Sequence, residues 1–276
     1  MLQTFLLLLI LTVQDLSRPL PDHQSFMAAA RKRMRTDTQL LGQYTYTLKR
    51  TSIQVDSKGK PNKTEVDVFD VFPGSADRVE YRRQTVKKGV PVSAKELEKQ
   101  DRDYEERNRI SPEKRLKLLA DKEREEQAFI EDLFGVFETS LVGRENVGGR
   151  STIVVDFRPR ARSTYKTKSD NGKHLNQFRG RVWFDENDYE GVRLEVEAIE
   201  PVNIGFGLLA KLQKGARITN ERKKFNDEVW LPVKVEVSID LRLMLLKGLR
   251  IRQMLEFSDH KKYSVDTILR FPDDPK

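Results

Sequence analysis

The clearest alternation of apolar and polar positions lies late in the chain. Val233, Val235, Val237, Ile239, Leu241, Leu243 and Leu245 occupy every second position, with Lys234, Glu236, Ser238, Asp240 and Arg242 between them. A period of two sends neighbouring side chains to opposite faces, so this stretch predicts a strand with one apolar and one charged face. Trp230–Leu245 exceeds an ordinary strand, which predicts a bend or bulge near its end. Gly180–Val202 repeats the design: Val192, Leu194, Val196 and Ala198 alternate with Arg193, Glu195 and Glu197, after a polar turn at Glu186-Asn187-Asp188.

The other patterns fall around this sheet. Ser25–Leu41 predicts one helix, capped by Ser25 and stopped by Gly42, with Met27, Ala30, Met34 and Leu41 along one side. Tyr44–Val55, Lys63–Phe72 and Asp77–Val86 predict a meander of strands. Ser93–Phe134 is dense in both charges, and Glu98/Arg102 and Asp103/Arg107 are spaced for helical ion pairs. Ser111-Pro112-Glu113 starts a second helix there. Ile130, Leu133, Phe134 and Phe137 dock it through its C-terminal half only.

Glu138–Glu145 and Arg150–Arg158 flank Asn146-Val147-Gly148-Gly149, a hairpin signal. Pro159–Lys173 is basic and aperiodic and predicts a mobile loop, the best local anion-binding candidate on charge alone. Pro201–Gly215 breaks the alternation. Ile204, Phe206, Leu208, Leu209 and Leu212 cluster around Gly205 and Gly207, predicting a short apolar helix or loop over the mouth of the sheet. Ala216–Phe225 is a strand before the turn Asn226-Asp227-Glu228. Leu249–Phe257 and Lys261–Leu269 predict a last hairpin around Asp259-His260. The sum is a mainly β (α+β) fold: a half-open antiparallel β-barrel of about eleven strands with an N-terminal helix and a charged helical insertion.

Composition narrows the function. Charged residues make up 34% and hydrophobic residues 37% of the 276 positions, with a formal net charge of +8. A basic balance favours anionic partners, but 51 basic residues are mixed with 43 acidic ones, which describes a mixed surface. There is no cysteine, which excludes a disulfide framework, a thiol nucleophile, a thiolate metal site and a lipid-bearing cysteine. Thr4–Val13 is an apolar run of signal-peptide length, although no Lys or Arg precedes it and no A-x-A site follows. The expected organisation is a signal peptide and linker over 1–22, one domain over 23–271 with its insertion at 93–134, and a disordered tail over 272–276. The expected location is periplasmic or otherwise exported.

No catalytic pattern stands out. His23, His174 and His260 are far apart and lack metal-ligand spacing, and neither G-x-S-x-G nor a phosphate-binding loop occurs. The expectation is a protein that is not an enzyme and has no cofactor and no metal.

The segment Leu141-Val142-Gly143-Arg144, through Gly148-Gly149-Arg150 to Val155-Asp156-Phe157, then Gly180-Arg181-Val182-Trp183-Phe184-Asp185, resembles the periplasmic lipoprotein-carrier superfamily, which includes the LolA and LolB carriers and the RseB/MucB regulators. The likeness covers most of the chain after the leader, as a pattern with no invariant catalytic signature. It implies a half-open barrel with helices over an apolar cavity that binds acyl chains. The charged insertion and the basic loop at Pro159–Lys173 depart from the carriers. On this basis Val192, Leu194, Val196, Val233, Val235 and Val237 are expected to line the cavity, and Ile204, Phe206, Leu208 and Leu209 to gate it.

The expected partner is an acyl chain, lipid or lipoprotein held by a monomer, with no nucleic acid. One alternative is an envelope regulatory or scaffolding protein that meets its partner through the helices of 93–134. Another is a module for anionic polymers, which requires Arg31–Arg35, Arg160–Lys173 and Lys211–Arg222 to converge on one face.

Overall fold

The period-two stretches form one antiparallel sheet. A computed structural model describes residues 18–56, 58–73, 80–204, 210–243 and 249–263. Two short helices come first, α1 (His23–Arg33) and α2 (Asp37–Leu41). Strands β1 (Tyr44–Val55), β2 (Pro61–Phe72), β3 (Tyr81–Lys87) and β4 (Val90–Pro91) follow. The insertion is α3 (Ala94–Arg107) and α4 (Pro112–Val136). Then come β5 (Phe137–Val147), β6 (Arg150–Pro159), a 3-10 helix at Asn171–Gln177, β7 (Phe178–Asp185) and β8 (Gly191–Ala198). A small hairpin, β9 (Val202–Ile204) and β10 (Ala210–Leu212), precedes β11 (Arg217–Phe225), β12 (Val229–Leu243) and β13 (Leu249–Lys262).

Eleven strands form the main path, in the order β4-β3-β2-β1-β13-β12-β11-β8-β7-β6-β5. Among the described residues β4 and β5 do not pair, so the sheet stays open. The register of β1 with β13 joins the two halves of the sheet along eleven pairs from Tyr44↔Lys262 to Val55↔Arg250.

Both helices at the N-terminus cover the same face. Residues 25–41 do not make the single helix that the apolar spacing predicts. Asp22, not Ser25, caps α1, and its carboxylate accepts from Ser25 N. Thr36 then opens a new capping box with Gln39, which ends the first helix and starts the second. Phe26 and Ala30 of α1 pack on Ile153, Val155 and Phe184. Leu40 and Leu41 of α2 pack on Tyr44, Tyr46, Leu48, Val71 and Leu231.

Ser111 caps α4 as expected, and Ser93, where the charged stretch begins, caps α3. Helix α3 lies on β3, where Tyr104 stacks on Tyr81 at 4.2 Å between ring centroids. Gln100 accepts from Gln84 N and donates to Gln84 O, so a side chain satisfies the backbone of a strand near the sheet edge. Helix α4 docks at the opposite edge through its C-terminal half, where Phe129, Leu133 and Val136 pack with Phe137, Phe157, Leu175 and Tyr165. The insertion therefore connects the two margins of the open sheet.

Two expectations give way, and the end of Trp230–Leu245, where a bend or bulge is expected, lies partly outside the described residues. The strand β12 is irregular near its start, where Glu221↔Lys234 is followed by Arg222↔Pro232 and Val233 is the extra residue. Its far end leaves β11 and pairs with β10 instead, which gives a long strand two successive partners on one side. The flanks of Pro201–Gly215 are the strands β9 and β10, paired at Ala210↔Ile204, rather than a helix. The last hairpin is absent: β13 runs on through Asp259, whose φ of 55° marks an irregularity opposite Thr45/Thr47. The expected leader and the tail, and most of Lys261–Leu269, lie outside the described residues.

Candidate functional site

Cross-strand partners share a face, so the register shows which apolar side chains assemble. One lateral row under the helices reads Leu141, Val155, Val182, Leu194, Asn220, Val235, Leu255, Arg50 and Asp67. The next reads Thr139, Phe157, Gly180, Val196, Ile218, Val237, Gln253, Ser52 and Glu65. Helix α1 covers the first end of the first row, packing on Val155, Leu141 and Val182. The end of α4 covers Phe157 in the second. Ala198, Val202, Leu212 and Ala216, with Phe178 and Ile239 against them, close the end next to the β9–β10 hairpin.

Leu194, Val196, Ile218, Val235 and Val237 remain between these clusters. All are partly exposed, Ile218 at 37%, and no core cluster contains them. Among the described residues nothing covers them, and they form an apolar strip across β8, β11 and β12. Four of the predicted lining residues, Leu194, Val196, Val235 and Val237, are thus brought together, and Ile218 is a fifth that the sequence reading missed. Its signal was present: Ile218 is the apolar position between Arg217 and Thr219 in a strand already recognised.

Val192 is not on the strip. The register jumps from Trp183↔Arg193 to Phe184↔Gly191, leaving Val192 as a bulged residue. It is 2% exposed and packs with Val154, Trp183 and Trp230 in a separate cluster. Val233 is likewise a bulged residue. Phe206, Leu208 and Leu209 lie outside the described residues, as does the side chain of Ile204, whose backbone belongs to β9.

The strip is bordered by polar groups. Asn220 donates to Asp37 of α2 at 2.7 Å, and Arg222 pairs with the same carboxylate. Across β1 and β2, Arg50 donates to Asp67 at 2.8 Å, and Asp67 also accepts from Gln84 Nε2 and Lys88 N. Burial would raise the Asp67 carboxyl, but these hydrogen bonds from Lys88, Arg50 and Gln84 hold it below its ordinary value.

A trough of about 800 Å³ spans β5, β6, β7, β8 and β11, lined by charged side chains that alternate with the strip positions. Arg158 pairs with Glu138, Arg181 with Asp156, Arg179 and Arg217 with Glu197, and Arg193 with Glu195. Alternate charges neutralise one another here, so the trough offers no net field for a polyanion.

The basic loop is not free. Asp132 of α4 is fully buried and accepts from Tyr165 Oη, Lys168 N, Ser169 N and Ser169 Oγ. Glu125, about two turns earlier, accepts from Asp170 N and Asn171 N. Lys168 pairs with Glu131 and Lys173 with Asp170. Burial would raise the Asp132 carboxyl, yet the Ser169, Lys168 and Tyr165 donors hold it below its ordinary value. Gly135 is required for the same junction, since a Cβ there would lie 2.3 Å from the Tyr165 ring. The loop is a strap fixed to a helix, and two of its cations, Lys168 and Lys173, are already partnered. Arg35 pairs with Glu190 and Arg222 with Asp37, so cations of the other two basic segments are also engaged.

Among the described residues no set of three or more His, Asp or Glu is placed to hold a metal, and no helix is long and apolar enough to cross a membrane. No protein-family model matches the sequence, and no curated protein is similar to it. Solved structures do match in overall arrangement. A LolA-superfamily protein from Nitrosomonas europaea is 12% identical with a TM-score of 0.30, over 90% of this chain and 97% of that one. A DUF1329 family protein from Desulfovibrio piger is 13% identical with a TM-score of 0.32, over 87% and 92%. Pseudomonas aeruginosa MucB, in its complex with MucA, is 10% identical with a TM-score of 0.24, over 89% and 100%. These matches fall in the LolA and RseB/MucB group whose pattern the sequence resembles, and at such scores they carry no argument about residues or ligands.

Proposed function

We propose that this chain is a non-enzymatic, exported binding protein that holds an acyl chain or similar apolar ligand against the strip Leu194, Val196, Ile218, Val235 and Val237. The observation that carries the reading is that strip: apolar side chains gathered by register on the helix-bearing face, with α1, α2 and α4 packed around it and not on it. Apolar burial is non-directional and needs no chemistry beyond contact. Each ligand methylene fully covered adds about 0.8 kcal/mol, close to fourfold in affinity. Coverage from the sheet side alone halves that gain, to about twofold per methylene. The carboxylates in the charged trough are held in ion pairs with arginines, which suits a surface and not a proton-transfer site.

Titration with saturated fatty acids of increasing length tests the reading. Affinity rises by about two- to fourfold per methylene until the strip is filled. Val237→Asp abolishes binding and leaves the circular dichroism spectrum unchanged. Binding without chain-length dependence contradicts the proposal.

A second reading rests on a different observation. The N-terminal half of α4 exposes Leu116 at 67% and Leu118 at 48%, among alternating charges. This favours a protein partner meeting the insertion, as a regulatory or scaffolding protein of the envelope would require. In that case Leu116→Glu/Leu118→Glu removes the partner and leaves acyl binding intact.

A further inference from the structure

The strip changes character where it meets β13 and β1. In the first row Val235 and Leu255 give way to Arg50 and Asp67, and in the second Val237 gives way to Gln253, Ser52 and Glu65. A ligand lying across the strands therefore has an apolar end over β8, β11 and β12 and a polar end over β1 and β2. Among the described residues the ion pairs at that polar end set Arg50, Lys63 and Lys88 against Glu65 and Asp67, an excess of one positive charge.

Arg50 is the group at the junction. Its guanidinium lies 5.1 Å from the centroid of the Phe69 ring, which fixes its plane. Only Nη2 reaches Asp67, and the buried Nε has no hydrogen-bond partner. A buried donor without a partner is costly, and such groups are rare in native structures. Asp67 does not relieve it: its Oδ1 takes Gln84 Nε2 and Lys88 N, and its Oδ2 meets Nη2 and not Nε. A guanidinium edge is shaped for a carboxylate or phosphate oxygen.

Resting on the acyl-binding reading above, we propose that the ligand is an amphiphile with one anionic headgroup, whose acidic oxygen is received by Arg50 while its chain lies on the strip. The shared chemistry is an anionic oxygen on a long alkyl chain, and a fatty carboxylate and an alkyl phosphate are its two sources.

Calorimetric titration of the full chain at neutral pH with hexadecanoate, hexadecyl phosphate and hexadecanol tests this. The expected result is at least tenfold tighter binding of one or both anions than of the alcohol, and the tighter anion names the headgroup. Arg50→Met removes the preference and leaves hexadecanol affinity unchanged. Because that change leaves Asp67 without its arginine, Arg50→Met/Asp67→Asn repeats the test with the charge balance kept. Equal affinity for all three ligands in the wild type, or a preference that survives both variants, overturns the headgroup assignment and leaves the acyl reading standing. Failure of all three ligands to bind overturns the acyl reading itself.

Discussion

Asp132→Asn removes one carboxylate oxygen from the junction between α4 and the strap at 163–172 while keeping its shape. If the amide nitrogen replaces Oδ2, the bonds from Ser169 N at 2.9 Å and Ser169 Oγ at 2.6 Å are lost. A hydrogen bond to a charged group contributes about 1.5–3 kcal/mol, and the new NH2 faces donors rather than acceptors. The loss is about 3 kcal/mol, local to the strap. It corresponds to roughly a hundredfold faster amide exchange at Lys168 and Ser169. Exchange measured by mass spectrometry or NMR reads this directly, with the buried Ile153 region of β6 as an internal control. The wild type should show the same release in acid. The Asp132 carboxyl is held below its ordinary value of 3.8, so its stabilisation is complete above that pH and is lost as pH falls below it. Unchanged exchange at Lys168 and Ser169 in the variant would refute the view that this carboxylate fixes the strap.

Two further predictions concern packing and titration. Leu231→Ala, at a position 0% exposed beneath α2, costs about 2–5 kcal/mol in urea unfolding, whereas Ile218→Ala on the strip costs under about 1 kcal/mol; equal costs would contradict the assignment of the strip as uncovered. His260 lies against Phe225 and Tyr46, and burial lowers its pKa below 6.5. The neutral ring is favoured by folding, so stability is full above about pH 6.5 and falls as pH drops through the folded value, and His260→Gln flattens that part of the urea midpoint against pH.

The sheet was legible because its signals are local. Alternation in Val233–Leu243 and the turn residues Gly148, Gly149, Asn226 and Asp227, all with positive φ, define strands and hairpins from neighbours in sequence. The bulges were not legible. Nothing in the alternation of Val192 with Leu194 reveals that one extra residue turns Val192 to the other side of the sheet. The last strand misled for a related reason. Asp259-His260 reads as a turn, but one left-handed residue only interrupts the register, and long-range pairing with β1 carries the strand through. The strap was missed because its partners are distant in sequence. A signal did exist: Asp132 sits among Ile130, Leu133 and Val136, and a carboxylate on the buried side of a helix requires donors from elsewhere. Four of the six expected lining residues share one face because a face follows from parity wherever the strand is regular.

The central claim is that the strip takes an apolar chain. Native mass spectrometry of the protein purified from an exporting bacterial host, with denaturing extraction of anything bound, tests it most directly. The account predicts a co-purifying acylated species, or its uptake on addition, that is lost in Val237→Asp. A bare protein mass that accepts no acyl ligand would contradict it.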